Sequence, residues 1–410
     1  MTSLSDSAHV RFLEEEGDRL LEFSRAARHP AGGFGWLDDA GRLDEDRRVE
    51  LWVTCRMTHV FALGHLLGRP DCAELVDHGV RAIQGRFHDD QNSGWYAAVD
   101  ASGPTSRDKS AYEHAFVVLA AASGLAADRP GASALLDEAL AVLLGSFWDD
   151  EHGLVVEQWD ESFERVDGYR GVNANMHTVE ALLAAADVTG DPGLLKRALG
   201  IVGAVVHGFA RSNQSRLPEH FDADWAPRFD YNIDTPAHPF RPYGVTIGHG
   251  LEWSRLALQV RAALGPSAPD WLLNDAQSLF TASVEDGWAV DGAEGFVYTV
   301  DWDGVPVVRE RMHWVAAEAT ATAAALWAAT GERAYADRYQ EWWDHISAVF
   351  VDHELGSWHH ELDAQNRPSS TVWAGKPDTY HAFQATLLPR MPLTPSLAPA
   401  LRDGVRPRAG

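Results

Sequence analysis

NMHTVEALLAAA, residues 175–186, sets a polar pair, His177 and Glu180, at the entry to an Ala/Leu-rich stretch. An Arg or His stands at the entry to a like apolar stretch in CRMTHVFAL (55–63), YEHAFVVLAAA (112–122), GHGLEWSRLAL (248–258), MHWVAAEATATAAAL (312–326) and YHAFQATLL (380–388). The entries are led by Arg56, His114, His177, His249, His313 and His381, about sixty to seventy residues apart, the kind of interval that signals stacked repeats. Polar side chains recurring in one phase of a repeat converge if the repeats close into a ring. These six are therefore expected to point at one central cavity, and several imidazoles in one cavity suit proton transfer near neutral pH.

A short Gly/aromatic/Asp segment precedes each entry: GGFGWLDDAGRL (32–43), SGWYAAVDASG (93–103), HGLVVEQWDE (152–161), LPEHFDADW (217–225), EGFVYTVDWDGVP (294–306) and GSWHHELDAQNRP (356–368). Each alternates aromatic or β-branched residues with polar ones and closes on Asp, Asn or Gly, as tight hairpins do. Between hairpins lie two apolar-periodic stretches, for example 134–147 and 178–188. Six hairpins, each with two helices, predict an all-α (α/α)6 toroid of about twelve helices with short β-hairpins at one end. An open solenoid would need polar caps at both ends, and a doubly wound α/β sheet would need longer, more apolar strands.

The chain has 410 residues, with 34 Lys and Arg against 60 Asp and Glu, for a formal charge of −26. That balance argues against nucleic acid or an anionic membrane as partner. No Pro/Ser linker divides the sequence, so one catalytic domain is expected over residues 1–391, followed by a Pro- and Arg-rich tail, 392–410, that frays over the surface. Cys55 and Cys72 are the only cysteines, too few for a disulfide framework. The N-terminus lacks the apolar core of a signal peptide, and no uninterrupted apolar run is long enough to cross a bilayer; a cytoplasmic protein is expected.

Sixteen tryptophans exceed what a helical core needs. Trp36, Trp95, Trp225, Trp302, Trp358 and Trp373 are candidates for a cavity mouth, where indole faces stack on the C–H faces of a pyranose; hairpin packing is the competing role for each. In HTVE (His177, Glu180) and HGLE (His249, Glu252) the carboxylate lies three residues on, sharing a helix face with the imidazole. There it fixes the tautomer and raises basicity. The same spacing also builds di-metal sites, but the last repeat reads HAFQ, with neutral Gln384, so no metal is assigned. His59, His65, His78 and His345 are read as structural. His177, His249 and His381 stand among other polar groups, respectively Asn173 and Asn175, Arg241, and Lys376 with Asp378 and Tyr380.

GVNANMHTVEALL (171–183), FRPYGVTIGHGLEWSRL (240–256) and AGKPDTYHAFQATL (374–387) resemble blocks of the N-acylglucosamine 2-epimerase superfamily, nearest to its branch of mannose and sulfoquinovose isomerases. The resemblance runs from about Phe34 to Leu388. It implies an (α/α)6 barrel acting on a reducing monosaccharide without a cofactor. Carried over residue by residue, it places a catalytic histidine pair on His249 and His381, a substrate-binding arginine on Arg56, and the Asn and His of the NxNMH block on Asn173 and His177. A supporting carboxylate falls on Glu252, and Tyr112, Arg241, His313, Glu318 and Trp373 on lining positions.

The implied chemistry is isomerisation of mannose to fructose through a cis-enediolate. His177 assists ring opening, His381 removes the C2 proton, Arg56 faces the developing oxyanion, and His249, held by Glu252, moves protons between O1 and O2. Sulfoquinovose isomerisation and 2-epimerisation use the same groups in other geometries. An (α/α)6 glycoside hydrolase or a non-catalytic binding protein stands further behind. Oligomeric state is not legible.

Overall fold

The computed structural model describes residue 4 and residues 6–409. Six helices form an inner ring: α2 (Leu51–Leu66), α4 (Ala111–Ala126), α6 (Val172–Thr189), α8 (Ile247–Leu264), α10 (His313–Thr330) and α12 (Tyr380–Leu387). Each packs on the next, and α12 returns to α2, so the ring is closed. The outer ring comprises α3 (Cys72–Gln84), α5 (Ala132–Val142), α7 (Pro192–Val202), α9 (Trp271–Gly287), α11 (Arg333–His345) and α1 (Ser7–Ser24). The first helix packs on α12, so the two ends of the chain supply the last helical pair.

The sequences of the two rings follow from their positions. Inner helices touch neighbours on every side, and every residue of α2 from Leu51 to Gly64 is buried; a helix apolar all round belongs in such a place. Outer helices bury one stripe only: α7 hides Leu194, Ala198, Ile201 and Val202. Its start is set by Asp191, whose carboxylate accepts from the Gly193 N–H, with Pro192 in the first turn, the combination that satisfies free helix-end donors. Pro192–Ala210, α7 with its π-helical end, has the length and hydropathy of a membrane-crossing helix, but carries Lys196 and Arg197 and packs on α6 and α8.

Two-residue strands lead into five inner helices and tie one repeat to the next. Val49–Glu50 pairs with the strand at Ala98–Asp100, Lys109–Ser110 with Gln158–Trp159, and Arg170–Gly171 with His220–Phe221. Val245–Thr246 and Arg311–Met312 repeat the pattern with Thr299–Val300 and Glu361–Leu362. The Asp residues that end the hairpin segments are turn formers: Asp38, Asp160, Asp222, Asp301 and Asp363 each accept from a backbone N–H four residues on, a local bond that favours turns over helix. These laced loops gather at one end of the ring, where every inner helix begins.

Where fraying is expected, the tail is helical over part of its length. Residues Leu397–Arg402 form a thirteenth helix, α13, buried from Leu397 to Leu401 and packed on α2, α4 and α6 at the other end of the ring. Its apolar face explains the difference: Leu397, Ala398 and Leu401 cover inner-helix ends that would otherwise meet water. Cys55 and Cys72 are buried free thiols.

Candidate active site

At the end where the inner helices begin, the ring forms a cavity that opens to solvent. Inner helices supply its chemistry: Arg56 from α2, Tyr112 from α4, Asn173 and His177 from α6, His249 and Glu252 from α8, His313 and Trp314 from α10, and His381 from α12. Loops add Phe240, Trp373 and Asp378.

His381 directs Nδ1 at Glu318 Oε1, 2.9 Å away, in the protein interior. Because a carboxylate only accepts, Nδ1 carries the proton and Nε2 is left for a ligand. Burial, helped by the Arg56 charge, lowers the His381 pKa despite the carboxylate; the ring is neutral near pH 7 and ready to accept a proton. Burial alone would push Glu318 up, but Arg255, whose Nε lies 2.8 Å from Glu318 Oε2, and the bond from His381 outweigh it and hold Glu318 at about 2.

His249 has the same design with a different partner. Its Nδ1 donates to Glu219 Oε2 at 2.9 Å, and not to Glu252, the carboxylate that helix spacing offered. Glu252 instead reaches Arg255, at 3.4 Å. Burial and the neighbouring Glu318 charge raise Glu252 well above the usual carboxylate range, which makes it a neutral hydrogen-bond donor in the cavity. Arg255 thus stands as a fixed cation between the Glu318 carboxylate and the Glu252 carboxyl group. Glu252, Glu318 and His381 bring ligand-type atoms close enough together for a metal ion, as do His177, Glu180 and Glu252, but the guanidinium already neutralises the first group.

The Trp314 ring centroid lies 5.3 Å from that of His249 and 5.7 Å from that of His381, so the same indole packs against both imidazoles. The GHG sequence allows this. A Cβ at Gly248 would collide with the Trp314 ring, and one at Gly250 with Ser283 of α9. His177 pairs with Glu180 at 3.5 Å as the HTVE spacing predicts, and burial lowers it to about 4. Arg56 donates to Tyr112 Oη at 3.2 Å and faces Asp378 Oδ2 at 3.5 Å. Its guanidinium lies within 5.0 Å of the Trp52, Phe116 and Tyr380 ring centres, a placement that immobilises the charge. His313 Nε2 and Asn173 Oδ1 are buried without protein partners and belong to residues that line the cavity, so both are available to a bound sugar.

Several sequence expectations fail here for identifiable reasons. His114 is fully buried, bonding the Ser110 carbonyl and the Trp95 N–H, and Tyr112, two residues earlier, takes its place on the cavity wall. Glu318 backs His381 and does not line the cavity. Arg241 lies in a neighbouring compartment, over the Tyr169 ring and 3.4 Å from Glu157. Lys376 is spent on Asp352 and the Gly356 carbonyl, at 2.6 and 2.7 Å. Trp95, Trp225 and Trp358 are buried in the hairpins. Trp302 donates to the Phe229 carbonyl. Only Trp36 and Trp373, stacked at 6.5 Å, stand at the mouth. Sequence reasoning missed Glu219, Trp52, Trp314, Phe240, Tyr298 and His360. For Glu219 the signal was a lone acid beside an apolar strand in LPEHF; Trp314 follows an entry histidine directly.

The family model for N-acylglucosamine 2-epimerase (GlcNAc 2-epimerase) matches residues 32–385. The chain belongs to the N-acylglucosamine 2-epimerase family. It is 53% identical to a D-mannose isomerase of Thermobifida fusca over 96% of this chain and 97% of that protein. It is 50% identical to one of Pseudomonas cannabina pv. alisalensis over 97% and 96%. Among solved structures, a D-mannose isomerase crystal structure superposes with a TM-score of 0.86 at 29% identity, covering 92% of this chain and 96% of that one.

Proposed function

We propose that this family member is an aldose–ketose isomerase that interconverts D-mannose and D-fructose. One observation carries the reading. His249 and His381 both pack on Trp314 and line one cavity, each with Nδ1 on a buried glutamate and each with Nε2 left for substrate. The near-full-length identity to two D-mannose isomerases supports the choice of sugar.

The residues divide the reaction as follows. His177, neutral because burial holds it at about 4, accepts the anomeric hydroxyl proton while neutral Glu252 supplies one to the ring oxygen, which opens the pyranose. His381 Nε2 then takes the C2 proton. The electron pair left on C2 moves into the C1–C2 bond, and the carbonyl oxygen becomes the enediolate oxygen facing Arg56. That charge cannot leave, since guanidinium stays protonated throughout the accessible range, and a fixed cation at a developing oxyanion lowers the barrier. His249 Nε2 relays the proton from O2 to O1, and His381 returns its proton to C1. The product is the ketose. Delivery to the opposite face of C2 from the His249 side would give the epimer instead.

Incubating the purified chain with D-mannose, sulfoquinovose, lyxose and N-acetylglucosamine, with chromatographic product analysis, tests the assignment. D-Fructose from D-mannose as the fastest conversion is expected. Faster turnover of sulfoquinovose, or an epimer as the main product, overturns it.

A further inference from the structure

The HTVE and HGLE entries put Glu180 and Glu252 one turn along from their histidines, on the neighbouring inner helices α6 and α8. Ligand-type atoms of His177, Glu180 and Glu252 all lie within 4.8 Å of one another, and both glutamates are buried. Two carboxyl groups this close in the interior do not both ionise; one keeps its proton. Their remaining partners decide which one.

Glu180 is the anion. Tyr380, the fully buried first residue of α12, donates its hydroxyl to Glu180 Oε2, and the same oxygen faces His177 Nδ1 at 3.5 Å. Burial alone would raise Glu180, but the bond from His177, the Arg255 charge and the Tyr380 hydroxyl outweigh it and hold the carboxylate below its usual range. Glu252 moves the other way: burial, Glu318 and Glu180 raise it, against the opposing charges of Arg255 and Arg56. Of its two anionic neighbours, Glu318 is tied to Arg255 at 2.8 Å. Glu180 has for partners a phenol and an imidazole that burial holds at about 4. The other titratable groups facing the pair are His249 on α8, His59 on α2, Tyr112 on α4, and Tyr380 and His381 on α12. Burial keeps both phenols protonated and lowers His59 and His381.

We propose that Glu180, clamped by Tyr380, is the positioning residue of ring opening: its fixed charge leaves the proton of the carboxyl pair on Glu252, and its oxygen holds His177 Nδ1–H so that Nε2 meets the anomeric hydroxyl. This rests on the sugar-isomerase reading above. The step balances. As C1–O5 breaks, O5 takes the Glu252 proton, the O1–H proton passes to His177 Nε2, and the O1 electron pair becomes the C1 carbonyl. Glu180 stands behind the cavity wall and acts through its two neighbours.

The test compares the pH profile of kcat/KM for D-mannose in the unmodified protein, Glu180→Gln, Glu180→Asp and Tyr380→Phe, with thermal transitions recorded for each. Activity that needs the Glu252 proton is lost as pH rises through the raised Glu252 value. Removing the neighbouring charge lowers that value, so Glu180→Gln is expected to move the basic limb down by at least about one pH unit. Glu180→Asp keeps the charge and is expected to keep the limb. Tyr380→Phe keeps the ring that packs on Arg56 and His381 but loses the clamp; it is expected to lower the plateau several-fold with the basic limb in place. A basic limb unmoved in a folded Glu180→Gln overturns the proposal, as does an equal fall in Glu180→Asp. Should Glu180→Gln not fold, Tyr380→Phe decides: an unchanged plateau overturns the clamp. Failure of the unmodified protein to make fructose from mannose would count against the isomerase reading alone, because any reducing sugar must first open and the same limb is read on whichever sugar is turned over.

Discussion

His249 donates from Nδ1 to Glu219, 2.9 Å away and thirty residues earlier in the chain, while Glu252 on its own helix turns to Arg255. The carboxylate that orients the imidazole therefore comes from a neighbouring hairpin, and the two glutamates have separable roles. Glu219→Gln is expected to lower kcat on the order of 10²-fold or more, since an imidazole without its orienting carboxylate samples the wrong tautomer. Glu252→Gln keeps a hydrogen-bond donor but loses the proton given to the ring oxygen; it is expected to cost less, because it slows ring opening and leaves the tautomer of His249 unchanged. Steady-state kinetics on mannose decide; a larger loss at Glu252 would return the orienting role to the residue three positions on.

Glu318 makes a second pair of predictions through His381. The base must be neutral, and burial lowers its pKa below the usual histidine value of 6.5; activity is therefore present at neutral pH and falls as pH drops through that lowered value. Glu318 opposes the lowering. Glu318→Gln is expected to move the acid limb of kcat/KM to lower pH while reducing its plateau, and His381→Asn to cut turnover by orders of magnitude with a nearly unchanged thermal transition. An acid limb above pH 6.5, or one that shifts upward in Glu318→Gln, contradicts the assignment.

What the sequence made legible was whatever repeats. Six entries at a steady interval led to the closed ring, and hairpins closing on Asp led to the laced mouth, because each feature has a local cause that recurs. The pairing of His177 with Glu180 was legible for the same reason: both sit on one helix face. Glu219 was not, because its reach to His249 depends on how the strand at His220–Phe221 pairs with Arg170–Gly171. His114 misled because its register is that of an entry residue, whereas its bonds to Ser110 and Trp95 belong to the hairpin. Lys376 and Lys109 share a design, each clamped on a hairpin Asp, at 2.6 and 2.7 Å. Only the folded contact distinguishes such a staple from a ligand-binding cation.

The tail offers a test of the fold. A chain ending at Met391 loses α13, and with it the buried Leu397 and Leu401, whose removal costs about 2–5 kcal/mol each in a packed site. Differential scanning calorimetry is expected to show a transition several degrees lower, or no soluble protein. An unchanged transition would mean that the helix covers nothing the ring needs.

Arg255 fills the place of a cation between Glu252 and Glu318, so exhaustive dialysis against EDTA is expected to leave mannose turnover unchanged. Loss of rate with recovery on adding a divalent ion would transfer the His/Glu groups from proton chemistry to metal binding.

The path of the C2 hydrogen tests the central claim most directly. D-Mannose turned over in heavy water and followed by NMR is expected to give fructose bearing deuterium at C1, to the extent that His381 exchanges with solvent between taking the proton from C2 and returning it. Recovered mannose gains label at C2 by reversal, and glucose forms slowly or not at all. Glucose labelled at C2 as the main early product, with little fructose, would contradict the account and make His249 and His381 the two bases of an epimerase.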